Sequence, residues 1–549
     1  MNICATLIKR ALPLVACIAI VFSANALADD NEKPVPLTAE DVLKLLQDEH
    51  IITKDQAAKA ANITKSRLAN QSKAPVEYTD EKDKDKQEAA PAGVTRVPYI
   101  PKYIQDEIRD EVRTGLKNDV VNDVMAKAKN ESWGVPGANP TWTKAIKFKG
   151  DIRFRYNGDR FDSGNSIQYR DFNAINAAGG TTKAGLNAFL NTTENRDRLR
   201  LRFRLGMDAK VTDGVTASMR IATGNPHDPT STNQTLGGYG SSYTLSLDRA
   251  YIKFDSASNN YLMYFGRMPN PWLSTGLVWD SDLNFDGIAY SYIFNRIDDE
   301  SNPVHPFKPF VTVGMFPLQE VALSKKDKWL FGSQIGFKYT FRSHSKLKMG
   351  LAYYNYLNIT GIHNAPDSTL NNFTAPPFVQ KGNTLYDISN STSDPQQELW
   401  ALAADFKELN FTTFYDIASF DPTHIILIAD YVKNVGFDES KILARAGSRI
   451  AKKNTGYDMG VKVGSPGIVK KGDWNASLHY RYLERDAVLD AFTDSDFHLG
   501  GTDGKGYILQ YSHAFKDNTW MQYELISSNS VSGPPLGTTT MFVDLNARF

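Results

Sequence analysis

Residues 195–211, NRDRLRLRFRLGMDAKV, divide by parity into two unlike faces. Leu199, Leu201, Phe203, Leu205, Met207, Ala209 and Val211 fall on one, and Arg198, Arg200, Arg202, Arg204, Gly206, Asp208 and Lys210 on the other. A period of two describes a β-strand with one apolar and one polar side. This run is far longer than the five or six residues usual in a globular strand. Four arginines in succession on one face repel one another unless water or acids surround them. Hydrocarbon on one side and a wet interior on the other satisfies both conditions. A solvent-facing strand of a large soluble sheet is the alternative at this point.

The remainder of the chain favours the membrane. Lys9 and Arg10, an apolar run over 11–24 and Ala26-Leu27-Ala28 before Asp29 form a secretory leader, 1–28. The only two cysteines, Cys4 and Cys17, lie within it. Its removal leaves a chain without thiols, which argues against a disulfide-built domain. Formal net charge is zero, so no nucleic-acid partner is expected. Mean hydropathy is −0.39, and no later run approaches the ~18 apolar residues of a spanning helix. That composition suits a transmembrane barrel, whose signal per strand is weak.

The order of segments follows. Residues 29–70 predict a helical hairpin, with Thr38 as cap and Asp41 in the capping-box position. Residues 71–97 are a charged linker with almost nothing to bury. Residues 98–141 hold an amphipathic helix, with Ile104, Ile108, Val112, Leu116, Val120 and Val124 at four-residue steps, and a connector. From Trp142 the chain predicts β-structure: 146–156, 195–211, 215–223, 245–254, 261–267, 285–294, 307–316, 329–342, 347–357, 399–411, 424–432, 457–463, 474–483, 506–515, 520–527 and 538–549. Short turns (212–214, 256–259, 342–345, 515–518) alternate with long loops (157–194, 224–243, 358–397, 434–454, 484–505), as in outer-membrane barrels. Termini on the short-turn side require an even strand number, which makes 411–423 a connection and sixteen the expected count. Met541, Val543, Leu545, Ala547 and Phe549 share the last apolar face. An aromatic ending an alternating strand resembles the signal read by the barrel assembly machinery. Tyr353, Tyr354, Tyr356, Trp474, Tyr480 and Tyr482 are expected in the interfacial aromatic girdles.

The sequence carries no G-x-S-x-G, no H-E-x-x-H and no phosphate loop. The nine histidines never pair at ligand spacing. Asp282-Leu283-Asn284-Phe285-Asp286-Gly287 copies the first half of a calcium loop, but Ile293 stands where the closing Glu belongs. No enzyme, metal or cofactor is expected. The polar interior remains as the functional surface, with Arg153, Arg155, Arg198, Arg200, Arg202 and Arg204 on its inward parity.

Several motifs in order resemble the putative-porin family of Gram-negative bacteria: Val97-Pro98-Tyr99-Ile100-Pro101, Trp133-Gly134-Val135-Pro136-Gly137 and Gly150-Asp151-Ile152-Arg153-Phe154-Arg155. So do Gly266-Arg267-Met268-Pro269-Asn270-Pro271, Asp430-Tyr431-Val432-Lys433-Asn434 and Asp486-Ala487-Val488. The resemblance implies an outer-membrane β-barrel, in contact with membrane lipid, that passes small hydrophilic solutes by diffusion, with homotrimer assembly as one expectation. In general-diffusion porins a basic wall faces acids on an inserted loop. By that likeness 269–282 is the candidate constriction loop, flanked by the acids Asp280, Asp282 and Asp286. Selection for anions is the finer expectation. The rival is a structural or adhesive barrel blocked or tethered by its amino-terminal helices. For an open pore, the full chain and a chain starting at Trp142 should both conduct in planar bilayers. A silent full chain beside a conducting shortened one would establish the plug.

Overall fold

The computed structural model describes residues 145–256, 260–296, 305–322 and 324–549, all within the unit Arg109–Phe549. The expected leader at 1–28, hairpin at 29–70, linker at 71–97 and helix with connector at 98–141 lie outside the described residues.

Sixteen antiparallel strands form the wall. They are β1 (Ile146–Phe161), β2 (Arg196–Thr212), β3 (Val215–Ala222), β4 (Ser246–Ser256), β5 (Tyr261–Pro269), β6 (Asn284–Ile293), β7 (Phe307–Gln319) and β8 (Lys328–Thr340). Then come β9 (Lys346–Leu357), β10 (Lys407–Ile417), β11 (His424–Asn434), β12 (Thr455–Gly464), β13 (Trp474–Leu483), β14 (Gly504–Lys516), β15 (Thr519–Ser530) and β16 (Gly537–Arg548). Each pairs with the next, and β16 pairs with β1 in the register Arg155↔Asp544. The sheet therefore has no free edge, which is what a sheet needs in hydrocarbon. The two-residue strand Gln234–Thr235 adds briefly to β2.

The tenth strand departs from expectation. It runs over Lys407–Ile417 instead of 399–411, and the expected connection 411–423 shrinks to 418–423. Trp400–Leu402 pairs with Leu385–Asp387 inside the preceding loop. Apolar residues there are core of that loop, with Ala401, Ala403, Ala404 and Phe406 fully buried. Alternation misleads where a loop has a core of its own.

Parity fixes what each face meets. On β1 and β2, Phe148, Ile152, Phe154 and Leu199 point outward, while the arginine parity turns inward. Tyr480 and Tyr482 join Tyr457 and Tyr507 in an outer cluster with ring centroids 5.0–6.2 Å apart, and Tyr353 is also outward. Tyr354 and Tyr356 contradict the girdle expectation, because both are buried inside the barrel. They share the inward parity of β9 with Ala352, where the loop tryptophans Trp272 and Trp279 cover Tyr354 and Phe406 meets Tyr356.

The seam between β1 and β16 closes on Phe549. Gly150 and Phe549 exchange main-chain hydrogen bonds of 2.8 and 3.0 Å. A β-carbon at Gly150 would stand 2.5 Å from Cζ of the Phe549 ring and 2.7 Å from the Arg204 carbonyl oxygen. Gly150→Leu should therefore destabilise the closed barrel by roughly 1–3 kcal/mol, the usual cost of overpacking. A lower yield of the compact, heat-modifiable form on electrophoresis would register it.

Candidate functional site

The register of β1 with β2 creates the electrostatic problem that organises the interior. Arg155 stands opposite Arg200, and Arg153 opposite Arg202. Like charges in direct cross-strand positions destabilise a sheet, so acids must be supplied. β1 supplies two of its own. Asp151 accepts from Nε of Arg202 at 3.1 Å and Nε of Arg204 at 2.9 Å. Asp159 accepts from Arg198 at 2.7 Å, beside Asn157 at 2.6 Å. From β16, Asp544 takes both Nε and Nη2 of Arg155 at 2.8 and 2.9 Å, a two-point pairing with guanidinium. Arg155 also lies over the Phe542 ring at 4.0 Å and is only 2% exposed.

Two loops supply the rest. The 270–283 loop, between β5 and β6, starts with an Asn270 turn whose side chain accepts from the Trp272 amide at 2.9 Å. Trp272 then lies edge-on to Phe316 and Tyr354, and its ring crosses Gly332 where a β-carbon would come within 2.5 Å. Gln334 of β8 clasps Leu273 through both amide atoms at 2.9 and 2.8 Å. Thr275 donates to Asp430 of β11 at 2.6 Å. The chain then returns, and Asp282 accepts from Arg204 of β2 at 3.0 Å and from the Thr232 hydroxyl at 2.9 Å. The loop thus crosses the barrel interior from the inward face of β11 to that of β2.

The 484–503 loop does likewise. Asp494 meets Arg481 of β13 at 2.7 Å, and Asp496 meets Nη1 of Arg155 at 2.8 Å. Ser495 ties the two loops by donating its amide to Asp280 at 2.9 Å. Between these loops, the 358–406 loop and the inward faces of β6–β9 lies an apolar core containing Leu277, Trp279, Phe316, Leu330 and Tyr354. One flank of the interior is therefore packed, and the basic wall bounds the other.

The expected acids separate into three roles. Burial opposes ionisation of Asp282, but the guanidiniums of Arg202 and Arg204 outweigh it and hold its carboxyl at about 2. Burial and the carboxylates of Asp494 and Asp282 push Asp280 well above the usual range. Asp280 is thus a hydrogen-bonding joint between loops. Asp286 pairs with Arg267 at 2.9 Å and does not meet the arginine ladder.

Of the six arginines, Arg200 stands apart. Its one polar contact among the described residues is Ser231 Oγ at 3.5 Å. Arg153 meets Asn233 at 2.5 Å and approaches Asp544 only to 3.8 Å. Arg196, Arg198 and Arg200 line a cavity of about 320 Å³ together with Asp228, Gln380 and Asp496. At the short-turn end another cavity, about 490 Å³, is lined by Lys147, Lys149, Lys210 and Lys253. Lys308, Lys338 and Lys348 stand in register across β7, β8 and β9 on inward parity. Sequence reasoning placed Lys210 on the arginine face of its strand, but it singled out none of the other lysines, nor Asp151, Asp159, Asp544 and Asp496, as site residues. The lysines and Asp544 were marked by the same alternation that exposed the arginines.

The match to known families comes from the sequence: the family described as putative porin matches residues 37–549. No curated protein matches the chain. Among solved structures, a high-pH form of Pseudomonas putida OprB aligns with 74% of this chain and 95% of its own, at 12% identity and a TM-score of 0.43. The outer membrane channel DcaP of Acinetobacter baumannii aligns at 12% identity and a TM-score of 0.36, over 74% of this chain and 97% of its own. Salmonella typhi OmpF in complex with daunomycin gives 10% identity and 0.38 over the same shares.

The contacts rank the arginines for mutagenesis. Arg155→Ala strands the Asp544 and Asp496 carboxylates and should cost about 3–5 kcal/mol of barrel stability. Arg200→Ala should cost under about 1 kcal/mol. Denaturant unfolding of the two variants in detergent, read side by side, checks that order.

Proposed function

The chain belongs to the putative porin family, and from that premise we propose that it is an outer-membrane diffusion channel for small hydrophilic solutes with a preference for anions. A closed barrel of sixteen strands is wide enough to hold an aqueous path. The observation that carries the anion preference is Arg200, a guanidinium on the inward parity whose only polar contact among the described residues is a neutral hydroxyl. Charges already neutralised by Asp151, Asp544 or Asp282 add little to the field felt by a passing ion. Arg200 makes no hydrogen bond to the nearby Asp228 and Asp496, and a guanidinium so placed in a confined, partly desolvated interior keeps more of its field. At the short-turn end Lys149, Lys210 and Lys253 are already paired with Asp208, Asp213 and Asp255, so they add little to that preference.

The 270–283 loop, held at both ends of its crossing by Asp430 and Arg204, narrows the path in this reading. Transport then needs no cofactor and no energy input. The solute diffuses between the arginine wall and the loops, and selection is by size and sign. Residues 1–28 act as the export leader in the same reading. Homotrimer assembly follows the porin analogy and is tested by the mass of the detergent-solubilised complex.

Reversal potentials in planar bilayers under a salt gradient test the preference. The native chain should favour the anion, and Arg200→Glu should move the permeability ratio toward the cation by several-fold. Cation preference in the native chain would refute the assignment of sign.

A further inference from the structure

On the long-loop side of the barrel, a cavity of about 300 Å³ lies apart from the arginine ladder. That size is at the lower end of small-molecule sites. Trp279, Phe316, Leu330, Phe378 and Phe492 give it apolar, largely aromatic walls. Lys328, the first residue of β8, also lines it and is 3% exposed. Its ammonium donates to the main-chain carbonyls of Ala375 at 3.0 Å and Thr374 at 3.4 Å. Among the described residues no carboxylate accepts from it.

A buried ammonium facing only neutral carbonyls is an uncompensated charge, and such charges are costly unless an anion joins them. The other charged groups of the cavity do not fill that need. Arg267 and Asp286 neutralise each other at 2.9 Å. Burial holds the Asp490 carboxyl at about 8, which leaves it mostly protonated at neutral pH. Arg155 and Arg481 are buried cations that meet acids directly, at Asp544 and Asp458. Lys328 has no such partner among the described residues, and it stands at an apolar hollow. A free inorganic anion would answer the charge but would leave the aromatic walls without a partner. A neutral apolar molecule would do the reverse.

We propose that this cavity binds a small monocarboxylate with a ring-sized apolar body, its carboxylate on the Lys328 ammonium and its ring against Trp279 and Phe316. The site would select among solutes before they reach the arginine wall. In that respect it rests on the channel reading, although binding itself does not require conduction.

Calorimetric titration of the full chain in detergent, with detergent alone as blank, tests this with benzoate and benzyl alcohol as probes. The two share a ring and differ in charge. Benzoate should bind saturably at one site, at least about tenfold tighter than the alcohol, the discrimination expected of a charge-assisted hydrogen bond. Lys328→Met should abolish that advantage. If the Met variant fails to assemble, Leu318→Trp, which puts a bulky indole at a half-buried lining position, should weaken benzoate binding instead. Equal affinity for the two probes, or benzoate affinity unchanged in Lys328→Met, would overturn the site. A chain that conducts yet binds no benzoate refutes this inference alone. Binding by a chain that never conducts refutes the channel reading alone.

Discussion

The pairing of β1 with β2 places arginine opposite arginine twice, and much of the interior is arranged to relieve it. Asp151, Asp159 and Asp544 relieve it from the wall. Asp282 and Asp496 relieve it from loops that must fold inward to reach. The physical order is therefore charge first and loop position second. A loop carrying an acid gains two or more charge-assisted hydrogen bonds by entering the barrel, which offsets the entropy lost on ordering it. The same contacts that quiet the wall also narrow the space beside it.

That dependence explains why the loops are built differently from the strands. The 270–283 loop buries Trp272 and Trp279 on Tyr354, so dispersion and apolar burial hold one flank while Asp282 fixes the other. Gln334 and Asp430 hold its first half at Leu273 and Thr275. A loop pinned at four places by unlike interactions has little freedom to swing. Rigid narrowing of this kind suits the proposed passive channel, which has no gate to operate.

The strand count and the facing of the arginines were legible because period-two patterning is local: each residue announces its own side. The partners of the arginines were legible only in part. Asp544 lies on the inward parity of an obvious strand and could be assigned to the interior. Asp496 lies in a loop 341 residues from Arg155, and nothing local relates the two. Tyr353 and Tyr354 are neighbours on opposite faces, so composition puts both in a girdle while the loop tryptophans claim one of them. The tenth strand was misplaced for a related reason. Trp400–Leu402 alternates as a wall strand does, yet it pairs within its own loop. Alternation reports a sheet face and not which sheet.

In the proposed channel Asp282 and Asp496, held by the arginine wall, set the bore. Single-channel conductance of a chain carrying Asp282→Asn and Asp496→Asn together measures this directly. Released loops should give a larger, noisier open current than the native chain. A double variant with native conductance and native noise would contradict the claim.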